Sequence, residues 1–155
     1  MRKDITLYYT ESQKQLWLSG KLSETWSKQC PGLYDDDDIR LLKQQSKYHF
    51  GEWLVAKYFY DKGYGVLIEK YSCLNHKRKI GIFKKYLTED SFNYFIKHYS
   101  HTPDLFVYSR NSKDYFFVEV KVGRDKISAR QKECFREIEE YFKCKVVIVN
   151  LKKEL

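Results

Sequence analysis

The sequence contains no apolar run of the roughly 18 residues that a membrane-spanning helix needs, and its first residues, MRKDITLYYTES, include no uncharged apolar stretch like that of a secretory leader. Neither a membrane span nor a signal peptide is expected, and the expected compartment is the cytoplasm. Proline is scarce, with two in 155 residues, and glycine reaches only seven. No low-complexity linker divides the chain and no internal repeat is visible. One domain over residues 1–155 is therefore expected, with 1–38 as an N-terminal extension and about 39–151 as its core. The four cysteines, Cys30, Cys73, Cys134 and Cys144, form no CxxC pair, and no histidine stands at zinc-finger spacing. This excludes the usual structural zinc sites and disulfide scaffolds and leaves ordinary reduced thiols.

What the chain does have is apolar and aromatic mass, 43% and 17% of residues, enough for a sizeable core. Lys and Arg number 29 against 21 Asp and Glu, a net charge of +8. That excess attracts polyanions, and binding to phosphates through it weakens with salt.

The N-terminal segment is the least patterned part. CPGLYDDDD joins a Pro-Gly turn to four aspartates, Asp35 to Asp38, which read as a solvated loop favouring the N-terminus of the next helix. From Ile39 to about Lys62 the sequence predicts one long helix, stopped at KGYG. Within it Glu52 shares a face with Tyr48, Val55, Ala56 and Phe59, so a carboxylate interrupts an apolar stripe. YGVLIEKY, Tyr64 to Tyr71, predicts a strand. The basic segment NHKRKIGIFKKY follows, leading into a helical stretch over roughly Ser91 to Tyr99. Lys77, Arg78, Lys79, Lys84 and Lys85, with Arg124 and Lys126 further on, are candidate phosphate contacts; a solvated face explains them equally well.

PDLFVYSR, the turn NSKD and YFFVEVKV predict a β-hairpin. KISARQKECFREIEEYF places Ile127, Cys134, Phe135, Ile138 and Phe142 at helical spacing with Ser128 as N-cap, and KVVIVNL predicts a strand covered on both faces. The order αβββαβ, with a helical insertion after the first strand, predicts an α/β fold around a mixed sheet of about four strands.

Alternation along the second hairpin strand puts Tyr115, Phe117, Glu119 and Lys121 on one face. Glu119 and Lys121 then project together, about 7 Å apart at the backbone, and hairpin pairing brings Asp104 beside them. Two carboxylates so placed repel unless a cation or proton intervenes. A magnesium ion held by Asp104, Glu119 and the backbone carbonyl of Val120 meets that need, with Lys121 beside it. A salt bridge at the mouth of the sheet meets it too, and the hairpin alone does not choose.

The string PDLFVYSRNSKDYFFVEVK resembles the signature of the PD-(D/E)XK nuclease superfamily, with Pro103-Asp104 followed by Glu119-Val120-Lys121. GRDKISARQKECFREI is similar to the VRR-NUC branch, whose next helix opens with Ser-x-x-Gln, here Ser128 to Gln131. FGEWLVAKYF followed by GYGVLIE is similar to the superfamily's first helix and strand, where a glutamate matching Glu52 faces the site. The resemblance implies a restriction-endonuclease-like fold and a nuclease dependent on Mg2+ or Mn2+. It also implies that Asp104 and Glu119 hold the metal, Lys121 positions the attacking water, Glu52 supports a metal, and Gln131 orients Lys121. DNA, junctions or flaps above all, is the implied substrate, and a homodimer the implied assembly. A sequence-specific endonuclease, a catalytically silent nucleic-acid-binding module and an interaction protein with an acidic partner remain alternatives. His101, three residues before Asp104, is a weak candidate for touching substrate.

Overall fold

The computed structural model describes residues 3–44, 49–99 and 101–155. Among them five strands build one mixed sheet: β1 (Lys3–Tyr9), β2 (Gly65–Ile68), β3 (Leu105–Tyr108), β4 (Tyr115–Val122) and β5 (Val146–Lys153). Their order across the sheet is β1-β5-β4-β3-β2. β2, β3 and β4 run antiparallel, while β5 lies parallel to both β4 and β1.

The α/β arrangement agrees with expectation, but the sheet has a fifth strand. β1 comes from the segment expected to be an extension, and it pairs along its whole length with β5, Ile5 opposite Val149 and Leu7 opposite Leu151. Its sequence alternates accordingly: Asp4, Thr6 and Tyr8 are exposed, whereas Ile5, Leu7 and Tyr9 turn inward.

One face of the sheet is covered by α4 (Phe50–Asp61), with Val55, Ala56 and Phe59 in the core. The helices α1 (Glu11–Leu18) and α2 (Lys21–Gln29) cover α4 in turn: Trp17 packs on Trp53 at 5.4 Å between ring centroids, and Trp26 stacks on Phe50. Tyr34 completes this layer by stacking on Trp53 at 3.8 Å and donating its hydroxyl to the Trp53 carbonyl. Because α4 is wrapped by sheet and helices alike, apolar residues lie all round it.

The long helix expected over Ile39–Lys62 is two helices, α3 (Asp36–Gln44) and α4. His49, just before α4, has φ of 71°, a left-handed conformation that no continuous right-handed helix accommodates. Tyr48, expected on the face of Glu52, lies outside the described residues. Gly51 allows α4 to lie close on β4: a Cβ there would stand 2.9 Å from the Val122 Cγ2 and 3.2 Å from the Val120 Cγ1.

The opposite face carries α5 (Lys77–Tyr86) and α6 (Glu89–His98) from the insertion, and α7 (Ala129–Phe142). An aromatic core fills it, with Phe95 stacked on Phe117 at 5.5 Å and Phe83 meeting Phe106 edge-on at 4.9 Å. α7 starts where its sequence says. Ser128 accepts a hydrogen bond from the Gln131 N–H, and the Gln131 side chain accepts one from the Ser128 N–H, a reciprocal capping box.

The acidic run does open α3, but it is not simply solvated. Asp38 is buried and pairs with Lys79, Asp35 pairs with Arg78, and Asp37 stands 3.0 Å from the His76 ring nitrogen. Three of the four aspartates thus clasp the start of α5. No helix among the described residues is long and apolar enough to cross a membrane.

Candidate active site

The hairpin register sets the site. Leu105 pairs with Val118 across β3 and β4, so Asp104, one residue earlier, falls opposite Glu119. The Asp104 N–H donates to Glu119 Oε1 at 3.3 Å, and the Val120 N–H donates to Asp104 Oδ2 at 2.8 Å. Two residues along the strand, Lys121 Nζ lies 3.1 Å from Glu119 Oε2 and donates to Gln131 Oε1 at 3.1 Å. Gln131 Nε2 in turn donates to Glu119 Oε2 at 2.9 Å. Glu119 and Lys121 are 4% and 8% exposed, so this triangle is largely withdrawn from water.

Two more carboxylates arrive from other elements. Glu52 comes from the first turn of α4, and Glu69 follows β2 directly. Glu69 has φ of 48° and Lys70 of 51°, so the strand turns sharply out of the sheet there. Glu52, Glu69 and Asp104 each bring an oxygen within 4.8 Å of the other two. Burial first, and then the charges of Glu119 and Glu52, push the Asp104 carboxyl well above the usual carboxylate range. Burial is also the main force raising Glu52, with Glu69 and Glu119 adding to it. Glu69 goes the other way. The His49 ring, its Nδ1 3.6 Å from Glu69 Oε1, holds that carboxyl low, and Glu69 in return raises the imidazole.

Glu69, Asp104, Glu119, Lys121 and Gln131 all line one open cleft of about 900 Å³. Lys70, Lys126 and Arg130 bring positive charge to the same cleft. A phosphate backbone therefore has both an entrance and counter-charges beside the acids.

The family model of the VRR-NUC domain matches residues 67–151. The chain belongs to the VRR-NUC domain family. The match runs from β2 through β5 and takes in Glu69, Asp104, Glu119, Lys121 and Gln131; Glu52, β1 and the helices α1 to α4 precede it. No curated protein and no solved structure matches the chain. VRR-NUC domains fall in the PD-(D/E)XK nuclease superfamily, so the fold is restriction-endonuclease-like and the chain's chemistry points to a nuclease.

Nuclease domains of this kind generally use divalent metals, and the donors here fit one. Three carboxylates with oxygens in mutual reach, two of them pushed toward protonation by burial and by one another, are in the state that a hard dication relieves. The cluster differs from the expected set. It joins Glu69 to Glu52 and Asp104, while both Glu119 oxygens accept hydrogen bonds from protein donors.

Glu69 was not legible beforehand, because an acidic-basic pair closing a short strand, Glu69-Lys70, looks like any surface turn. Its only signal is its place directly after the apolar GVLI.

Among the basic candidates, Lys126 lines the cleft. Lys77, Lys84, Lys85 and Arg124 are exposed but away from its lining. Arg78 is committed to Asp35 and the Gly32 carbonyl. Lys79 is 2% exposed with its ammonium on Asp38, so a phosphate cannot reach it. This VRR-NUC chain uses its acidic run to neutralise part of the basic segment. His101 also lines the cleft.

Proposed function

We propose that the protein is a nuclease that hydrolyses DNA phosphodiester bonds with Mg2+ or Mn2+. The observation that carries this reading is the convergence of Glu52 with Glu69 and Asp104, the latter two lining the cleft that also holds Glu119 and Lys121. In this reading Glu52, Glu69 and Asp104 hold the cation, with Glu119 turning toward it from its hydrogen bonds to Gln131 and Asp104. The cation, when bound, supplies Lewis-acid stabilisation of the charge that builds on a phosphodiester during displacement.

The remaining roles fall to the chain's own groups. Lys121, fixed between Glu119 and Gln131, orients the attacking water and opposes the negative charge forming on the phosphate. Gln131 keeps that ammonium aimed. Lys70, Lys126 and Arg130 draw the backbone of the nucleic acid into the cleft, an attraction that fades with salt. The preference for branched DNA, junctions or flaps, and a working homodimer rest on the superfamily resemblance.

The test is a magnesium and manganese titration of purified protein against single-stranded, duplex, flap and four-way DNA, with Asp104→Asn, Lys121→Met and Glu69→Gln beside the parent. Cleavage by the parent should require the dication. Asp104→Asn and Lys121→Met should lose it, and Glu69→Gln should lower it by about 10-fold or more with weaker Mn2+ binding. Metal-independent binding with no cleavage under either ion would establish the silent module instead, and undiminished cleavage by Asp104→Asn would overturn the site.

A further inference from the structure

Lys79 is among the most completely buried side chains of the protein, and a lysine there needs acceptors. It has two. Its ammonium donates to Asp38 Oδ1 at 2.6 Å and to the backbone carbonyl of Ile68. Ile68 is the last residue of β2, and its carbonyl belongs to the peptide unit that leads into Glu69. The other end of that unit, the Glu69 N–H, donates to the Asp104 carbonyl at 2.8 Å. One planar peptide is therefore gripped on its oxygen by Lys79 and on its nitrogen by Asp104. Its orientation sets the left-handed turn, φ 48° at Glu69, that directs the glutamate toward Glu52 and Asp104.

We propose that Asp38 and Lys79 are a positioning pair for the acidic site: Asp38 anchors Lys79, and Lys79 fixes the Ile68–Glu69 peptide so that Glu69 joins Glu52 and Asp104. This rests on the reading of Glu69 as a cation ligand. It makes the acidic run at the start of α3, which lies outside the family match, part of the working site. The energetics favour geometry over stability as the pair's contribution. A buried ion pair contributes little net stability against an uncharged pair of the same shape, because both charges must be desolvated. Its two bonds do constrain direction. Asp38 is itself held, accepting a hydrogen bond from the Asp35 N–H at 3.0 Å and donating its own N–H to Asp35 Oδ1 at 2.9 Å, so the anchor does not swing.

The test is the double variant Asp38→Asn/Lys79→Met, which keeps shape and net charge, leaves no buried charge unpaired, and removes the grip on Ile68. Two readings are taken on the full chain: amide hydrogen exchange at Glu69, and Mn2+ affinity by calorimetry. The double variant should fold cooperatively, exchange the Glu69 amide about tenfold faster, the equivalent of losing one charge-assisted hydrogen bond, and bind Mn2+ about tenfold more weakly. Arg78→Gln, which removes an exposed member of the same clasp, should change neither reading. Parental exchange at Glu69 together with parental Mn2+ affinity overturns the proposal. Absence of Mn2+ binding by the parent overturns the metal reading of the site, while the exchange result still decides whether the pair fixes the peptide. If the double variant does not fold, Asp38→Asn/Lys79→Gln carries the test: it too leaves no buried charge unpaired, keeps polar groups at both positions and replaces the ammonium's grip on Ile68 by a shorter neutral side chain, and unchanged exchange at Glu69 then overturns the proposal.

Discussion

Lys121 donates to the side-chain oxygen of Gln131, and that same oxygen accepts the Ser128 N–H that starts α7. A helix cap and a site residue are thus one atom. Because the oxygen must face Ser128, the Gln131 amide nitrogen is left facing Glu119, where it donates at 2.9 Å. Gln131→Ala should lower stability by about 1 kcal/mol through the cap and cleavage by about 10- to 100-fold through Lys121 and Glu119. Ser128→Ala, which loses the cap acceptor and leaves the Gln131 side chain in place, should show a similar stability loss with a much smaller loss of cleavage. Urea unfolding and single-turnover cleavage measure the two; equal cleavage losses in both variants would reduce Gln131 to a cap.

The acid cluster carries a pH signature in the metal-free protein. Burial and neighbouring carboxylates raise Asp104 and Glu52 above their unfolded values, so the folded state binds protons more tightly than the unfolded state. Stability from these groups is therefore greatest at low pH and falls as pH rises from the ordinary carboxylate range through the raised folded values. Asp104→Asn keeps an acceptor for the Val120 N–H and removes the strain. Without metal at pH 7 to 8, it should melt higher than the parent by about 2–4 °C, near 1 kcal/mol. The gap should close below about pH 4, where the unfolded chain's carboxyls are also protonated. A parent that melts higher than Asp104→Asn at pH 8 would contradict it.

Two glycines should respond to alanine with opposite signs. At Gly51 the new methyl meets valine side chains of β4 at 2.9 and 3.2 Å, which forces α4 outward and shifts neighbouring Glu52. Crowding of this kind costs about 1–3 kcal/mol, more than the helix-propensity gain of about 1 kcal/mol, and cleavage should fall with it. At Gly81 on α5 nothing lies within 4 Å of the new Cβ. Gly81→Ala should therefore be more stable than the parent by up to about 1 kcal/mol, with cleavage unchanged. Denaturant unfolding of both variants checks the pair of signs.

The parts of this protein that were legible in its sequence are those governed by short-range rules. Strict alternation in YFFVEVKV fixes which face Glu119 and Lys121 share, and hairpin pairing brings Asp104 opposite them. Ser128 three residues before Gln131 announces the start of α7. What escaped depends on partners far along the chain. β1 has the alternation of a strand, but its place in the sheet comes from β5 at the other end of the sequence. The aspartates of α3 are surface-like until His76, Arg78 and Lys79 are folded against them. Glu69 joins the acids through a backbone turn that no side-chain pattern encodes. The break at His49 was likewise hidden, because the apolar spacing of α4 continues plausibly from that of α3.

The two faces of the sheet differ in a way that has an optical consequence. All three tryptophans, Trp17, Trp26 and Trp53, sit in the layer of α1, α2 and α4, while the layer of α5, α6 and α7 is built on phenylalanine and tyrosine. Intrinsic indole emission consequently reports on one half of the molecule. A denaturation followed at those wavelengths tracks the loosening of the N-terminal layer, and the aromatic half beneath the insertion, which holds no indole, is followed through its tyrosines instead.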